Sequence, residues 1–294
     1  MKSDGANFVK VYNLLSRESF FAIAEEAREQ NLPVAGHVPF SIGADEASNA
    51  GQRSIEHLDA ILFSSSDREE EFRHLVKDWR PQGSQPVPFP VSAGLLFDSF
   101  NVDKLRALAD RLKRNHTSVV PMLAVYWNRL ERPSIDYLRY VPNAYAEEWN
   151  RMPLLTSRDD ARLQFEQCLT VVRELHKAGV RILAGTDAAL HVPGFILHDE
   201  LSLLVKAGLS QMEALQAATR NPARALDLTD QGTIEPGMRA DLVLLDASPL
   251  ENIDNVRKIR IVVAGGRVFE RHELDAMLAD IQKAASHWAG TPTR

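Results

Sequence analysis

Two histidines end two short apolar runs, and their spacing could place the two imidazoles side by side. His37 closes V-A-G-H at residues 34–37, and His57 closes S-I-E-H at residues 54–57. The segment between them has small residues on one face, so the pattern predicts a strand, a short helix and a second strand. In parallel barrels the chemistry lies at the C-terminal ends of strands, where two neutral imidazoles can share a metal ion. The alternative interpretation is a pair of hydrogen-bonded core histidines.

Three more side chains lie in strand-like runs and could take part in chemistry. Lys10 sits inside F-V-K-V-Y, either as an edge lysine with its ammonium in water or as a metal-bridging carbamate in a barrel mouth. Tyr12 is two residues further and shares its face, as a substrate contact or a packing tyrosine. Asp187 ends the run V-R-I-L-A-G-T-D at residues 180–187, which predicts a strand with a terminal carboxylate.

Length and composition limit the classes of protein that the chain can represent. The 294 residues suffice for one large α/β domain or for a domain with an appendage. The net charge of −6, without a strongly basic tract, argues against nucleic acid or an anionic membrane as the main partner. The single cysteine, Cys168, excludes an internal disulfide framework and fits the core of a helix. The first residues lack the pattern of a signal peptide, and the cellular compartment stays open.

The periodicity of the chain predicts an alternation of helices and strands up to about residue 226. Residues 126–160, rich in Trp, Tyr, Arg and Pro, show no clear period and are expected to form a long irregular insertion. Such an insertion is compatible with a substrate pocket, a capping subdomain or a contact in a homo-oligomer. A surface loop is expected at 80–90, and short strands with Gly/Pro turns are expected from Gly232 onward. Helices are predicted at 16–30, 102–115, 161–178, 198–208 and 210–220. Ser16 is a cap for the first of them, Gly179 suits the end of the third, and Ser210 with Glu213 makes a capping box for the last.

The order of these motifs resembles the amidohydrolase superfamily, in its imidazolonepropionase-like and prolidase-like branch. The stretches that carry the resemblance are F-V-K-V-Y, A-G-H-V-P, S-I-E-H-L, A-G-T-D, L-H-D-E-L, E-A-L-Q-A-A-T-R-N-P-A and G-T-I-E-P-G-M-R-A-D-L-V-L-L-D. The resemblance implies an α/β fold: part of a TIM-like (β/α)8 metallo-dependent hydrolase barrel, strands four to eight, with part of a small β-sandwich. The domain bounds expected from it are 1–228 for the barrel portion, 229–271 for the sandwich segment and 272–294 for a C-terminal helix and tail.

The resemblance also implies a role for each matching residue. Lys10 would be a carboxylated lysine that bridges two metals, His37 and His57 would bind the second metal, and Asp187 would bind the first metal and act as general base. The metal would be a divalent ion, with zinc as the expected identity. Tyr12 and His198 are candidates for contact with a small amide or dipeptide-like substrate, although His198 also fits a surface histidine at a helix start.

One part of the family pattern is missing from these residues. Family members carry a His-x-His pair on the first barrel strand, and the 294 residues contain none. The chain is therefore expected to be the C-terminal part of an amidohydrolase and to bind at most one metal ion. Three functions remain open for such a chain: a hydrolase of C–N bonds, a catalytically inactive fragment that keeps the fold, and a deaminase on the same scaffold.

Overall fold

A parallel sheet organises the N-terminal two thirds of the computed structural model, which describes residues 2, 5–77, 79, 91–131, 135–151, 157–187 and 192–288. Each strand pairs with the next one along the chain, so the order in the sheet follows the sequence. Ile182 extends the sheet by a parallel bridge to Val119. The strands of the sheet are β1 (Val9–Val11), β2 (Val34–Gly36), β3 (Gln52–Glu56) and β4 (Ser118–Val120).

Helices connect and cover these strands. Every residue of β2 and β4 is buried, as expected for a parallel sheet covered on both faces. The helices up to β4 are α1 (Arg17–Glu29), α2 (Ala44–Asn49), α3 (Asp59–Ser64), α4 (Glu69–Lys77), α5 (Ala93–Asp98) and α6 (Val102–Arg114). Those that follow are α7 (Leu123–Trp127), α8 (Ile135–Leu138), α9 (Asn143–Arg151), α10 (Arg158–Ala178), α11 (Ile196–Ala207), α12 (Gln211–Ala218) and α13 (Arg220–Ala225).

Several local signals in the sequence have the predicted structure. Ser16 caps α1 by accepting a hydrogen bond from the Ser19 N–H. The predicted capping box of Ser210 and Glu213 opens α12. Gly179 ends α10 with a left-handed φ of 84°, and Cys168 is fully buried within that helix.

Two predictions about elements need correction. The strand expected at 180–187 is reduced to the bridge between Ile182 and Val119. The Val119 N–H donates to Arg181 O and its carbonyl accepts from the Leu183 N–H, whereas the next N–H, that of Ala184, donates to Ala217 O in α12 and so leaves the sheet. The stretch 126–160 is not irregular throughout, since α8, α9 and the start of α10 lie in it. The loop expected at 80–90 lies outside the described residues.

The C-terminal part of the chain forms an antiparallel sheet followed by a helix. Its strands are short and half-exposed, and Val243, Leu244 and Val268 are each more than half accessible to solvent. The domain bounds expected from the family resemblance remain a prediction. The elements of this part are β5 (Leu242–Leu245), a 3-10 helix (Ile253–Arg257), β6 (Ile259–Ala264), β7 (Arg267–Glu270) and α14 (Arg271–His287).

Among the described helices, none combines the length and the apolar composition that crossing a bilayer requires.

Candidate metal and catalytic site

The sheet brings His37 and His57 together at the C-terminal ends of β2 and β3. Their ring centroids are 4.7 Å apart, with the ring planes tilted by 40°. Each histidine is held through its backbone by the neighbouring strand: the His37 N–H donates to Val11 O at 3.1 Å, and the His57 N–H donates to Val120 O at 3.0 Å. Because strand pairing sets both positions, the side-by-side arrangement is a property of the sheet.

The His37 ring lies in a mostly buried environment with one unused nitrogen. Its Nδ1 is buried and has no hydrogen-bond partner among the described residues; the nearest acid is Glu56, whose Oε2 is 3.9 Å away. Burial, followed by the charge of a protonated His57, lowers the pKa of His37. The imidazole is therefore neutral near pH 7, the form in which histidine binds metal.

A glycine and a glutamine shape the end of β2 next to His37. Gly36 has a φ of +120°, and a Cβ at this position would lie 2.3 Å from Val11 O, so only glycine fits. The Gln52 amide donates to Gly36 O at 2.9 Å and to His37 O at 3.3 Å. The two contacts fix the backbone from which the His37 ring projects.

Lys10 has a carboxylate partner, Glu56, that its sequence position did not indicate. Its Nζ lies 2.8 Å from Glu56 Oε2, and the lysine side chain is 53% exposed while that of Glu56 is 15% exposed. Glu56 precedes His57 in S-I-E-H, and this position beside a ligand candidate was the only signal for it in the sequence. The Lys10 ammonium therefore neutralises a carboxylate at the edge of the histidine pair.

Asp187 lies against the other histidine of the pair. Its Oδ2 is 3.5 Å from His57 Nε2, and its side chain is about half exposed. His57 and Asp187 both have positive φ angles, of 63° and 40°. Left-handed backbone at residues other than glycine is uncommon and concentrates at functional sites.

The two candidate substrate contacts are in different surroundings. The Tyr12 ring packs against His37 with a centroid distance of 4.2 Å, and more than half of its surface remains accessible. His198 is half-buried near Arg257 and Asp199, and burial followed by the Arg257 charge lowers its pKa. Tyr12 is thus part of the histidine cluster, whereas the charged neighbours of His198 belong to α11 and the 3-10 helix.

The described residues bring no three His, Cys, Asp or Glu side chains close enough to enclose a metal ion. The site that they form is a pair of imidazoles with one carboxylate against His57.

Glu200 of α11 is a buried acid that sequence reasoning also missed. Its side chain is fully buried, and its two carboxyl oxygens accept hydrogen bonds from the Leu123 and Ala124 N–H groups at 3.1 and 2.7 Å. Burial raises the pKa of Glu200 from 4.5 to about 8, against the opposing effect of the two donors. The motif L-H-D-E-L contains this residue, but nothing in the sequence indicates that its side chain turns into the core.

The raised pKa predicts a specific pH dependence of stability. Between pH 4.5 and about 8 the unfolded chain releases the Glu200 proton while the folded chain keeps it. Unfolding then releases a proton, so the free energy of unfolding falls as the pH rises, by up to ~1.4 kcal/mol per pH unit. The stabilisation that Glu200 adds to the folded state is fully present below pH 4.5 and is lost once the pH exceeds about 8.

Urea denaturation of the wild type and of Glu200→Gln between pH 5 and 9 measures this effect. The glutamine side chain of the variant cannot titrate, so the unfolding free energy of the wild type should fall relative to that of the variant as the pH rises toward 8. A difference between the two proteins that is constant over this range would contradict the assignment.

Comparison with known proteins relates this chain to amidohydrolases. The amidohydrolase family model matches residues 147–269. The ochratoxinase of Aspergillus niger is 27% identical over 277 residues, which is 92% of this chain and 44% of that protein. The 5-methylthioadenosine/S-adenosylhomocysteine deaminase of Pelotomaculum thermopropionicum is 32% identical over 138 residues, 43% of this chain and 29% of that protein. Among solved structures, a bottromycin amidohydrolase superimposes with a TM-score of 0.71 at 24% identity, covering 97% of this chain and 60% of that one.

The α/β fold with its parallel sheet matches that of amidohydrolase structures. The match of the family model to residues 147–269 and the similarity to the ochratoxinase support the amidohydrolase superfamily for this chain. It spans less than half the length of the ochratoxinase that it matches. Of the four ligand candidates, only Asp187 lies within the residues that the family model matches.

Proposed function

We propose that this chain carries part of the metal site of a hydrolase that cleaves C–N bonds in small amide or dipeptide-like substrates. The observation that carries the proposal is the His37–His57 pair, whose ring centroids are 4.7 Å apart. In this pair the Nδ1 atom of His37 is buried and has no hydrogen-bond partner in the described part of the chain. A buried polar atom without a partner is costly unless something binds it. Similarity to the amidohydrolase superfamily supports a metal ion as that partner.

The donor types suit a divalent ion. His37 and His57 would hold it through imidazole nitrogens, which suit zinc, and Asp187 would add a carboxylate oxygen. The side chains would have to close around the ion, because in the described residues no three such groups already enclose one. A bound divalent ion would supply the positive charge that makes water acidic enough to attack an amide near neutral pH. The Asp187 carboxylate would accept the proton of the attacking water and pass it to the leaving nitrogen.

Lys10 enters the proposal as the carboxylated lysine that the family resemblance implies. A carbamate forms from a neutral amine, whereas Lys10 lies 2.8 Å from Glu56 as an ion pair. Carboxylation of Lys10 therefore requires release of the Glu56 contact. Tyr12, packed on His37 and open to solvent, is the better placed of the two substrate contacts proposed, ahead of His198.

A deaminase is the second candidate, because a 5-methylthioadenosine/S-adenosylhomocysteine deaminase is 32% identical over 138 residues of this chain. Both reactions break a C–N bond with water, and they differ in the leaving group. Ammonia released from an aminated purine would favour deamination, while a free amine and a carboxylate released from an amide would favour the hydrolase. A catalytically inactive chain that only binds metal would release neither.

The metal content of the purified chain tests the proposal directly. We expect at most one zinc ion per chain, weakly held, and little or no turnover of amides, because these residues include no His-x-His pair. Elemental analysis after dialysis against zinc, together with competition against a chelating dye, measures stoichiometry and affinity. Two tightly held ions per chain would refute the one-ion expectation, and no binding at all would refute the site.

A further inference from the structure

Helix α7 contacts the backbone immediately behind His57. The Tyr126 side chain is fully buried, and its hydroxyl accepts a hydrogen bond of 3.1 Å from the N–H of Leu58, the residue after His57. The N–H of His57 itself is bound by Val120 O at 3.0 Å. Two consecutive N–H groups are thus held by the segment that contains the end of β4 and α7.

This support matters because His57 has an unfavourable backbone conformation. Its φ of 63° is left-handed, and such a conformation persists in a residue other than glycine only when its surroundings hold it there. The Tyr126 hydroxyl is one of those constraints. Without it the Leu58 N–H would be buried and unpaired, and the peptide would gain by rotating toward another partner.

Helix α7 is in turn held by Glu200. The helix has only five residues, too few to be stable alone, and it follows Met122 in a left-handed conformation with a φ of 51°. Glu200 accepts hydrogen bonds from its first two N–H groups, which have no partner within the helix. The ring of Tyr126 is therefore anchored from the side of α11 as well as by its own burial.

We propose that Tyr126 is a positioning residue for His57, and that its hydroxyl fixes the direction in which the His57 imidazole meets that of His37. This inference rests on the proposed function, because the orientation of the His57 ring affects metal affinity only when His37 and His57 bind one ion. A ligand that must be ordered at the moment of binding binds more weakly than one already in place. Loss of the hydroxyl should therefore weaken metal binding although Tyr126 touches no metal donor atom.

The test compares Tyr126→Phe with Thr117→Val in the full chain. Both substitutions remove one buried hydroxyl with little change of shape. Thr117 lies at the N-terminal end of β4, where its hydroxyl donates to Gln52 O at 2.9 Å, away from the strand end that carries His57. The two variants should lose similar stability in urea, so a difference between them in other readouts reports position rather than folding.

Two readouts separate positioning from a structural role. In the metal-free protein, the Cε1–Hε1 NMR signal of His57 should shift or broaden in Tyr126→Phe, while that of His176 stays in place. With zinc as the probe, affinity measured against a chelating dye should fall about tenfold in Tyr126→Phe. Thr117→Val should leave both the His57 signal and the zinc affinity at their wild-type values.

A second variant keeps the proposal testable if Tyr126→Phe does not fold. Glu200→Gln places an amide donor against one of the α7 N–H groups, so α7 should loosen and the His57 signal should move in the same way. The proposal is overturned if the folded variant gives the same His57 signal as Thr117→Val. If the wild type binds no zinc, the proposed metal function fails, while the NMR comparison still decides the role of Tyr126.

Discussion

Replacing His37 with alanine should lower the zinc affinity of the chain by more than about 100-fold. The side chain supplies one of the two paired imidazoles, and its Nδ1 is the buried nitrogen without a hydrogen-bond partner among the described residues. Loss of a residue that merely supports a metal ligand costs about 10–100-fold in affinity, so the loss of a ligand should exceed that range. Competition between the protein and a chelating dye for zinc gives the affinity of both proteins.

His176→Ala is the matched control for this substitution. His176 is also partly buried and lies near a carboxylate, since its Nε2 is 3.4 Å from Glu213. It lies in α10 and its partner lies in α12, so neither residue is at a strand end. Removal of His176 should leave zinc affinity unchanged. Equal zinc affinity in His37→Ala and His176→Ala would show that His37 is not a ligand.

Gly36→Ala should destabilise the fold by about 2–5 kcal/mol, the sum of a conformational cost and a steric cost. The left-handed φ of +120° costs a residue with a Cβ about 1–2 kcal/mol. The new Cβ would also lie 2.3 Å from the Val11 carbonyl oxygen, which is backbone and cannot move aside as a flexible side chain would. Accommodation requires β1 and β2 to separate, at a further cost of about 1–3 kcal/mol. Urea denaturation followed by circular dichroism measures the change.

Gly51→Ala separates the two contributions. Gly51 also has a positive φ, of 90°, but a Cβ there would have open space within 4 Å. Only the conformational cost of about 1–2 kcal/mol should remain. If the two variants were equally stable, the close approach of β1 to Gly36 would not be a constraint on the fold.

Local patterns in the sequence were sufficient for the elements whose residues interact with near neighbours. Helices α1, α10 and α12 were predicted from a 3.6-residue apolar period together with a cap, and both signals act within a few residues. The prediction of a strand at 180–187 was wrong because an apolar run indicates only that its residues are buried. Whether they pair depends on the backbone beside them, and here Val119 forms a single bridge while the Ala184 N–H turns to Ala217 O.

The contacts of the candidate site show the same division. The sequence pattern predicted His37, His57 and Asp187 at strand ends, and the family resemblance implied that they bind metal. The partners of the site come from distant parts of the chain: Glu56 for Lys10, Tyr126 for the peptide after His57, and Glu200 for the start of α7. Such pairs depend on strand register and on the angle of each helix, and neither is written in a local pattern.

The sequence alone therefore determined the α/β class of the chain, the superfamily that it resembles and the two histidines that follow β2 and β3. It could do so because burial follows from the order of apolar and polar residues, and because motifs in order along a chain identify a family. Only the tertiary structure decided that the two imidazoles face each other at 4.7 Å, that Lys10 is paired with an acid and that His57 is held in a left-handed conformation. The physical reason is that these arrangements are fixed by hydrogen bonds and ion pairs between residues from 46 to 77 positions apart, which form only when the sheet and its covering helices have assembled.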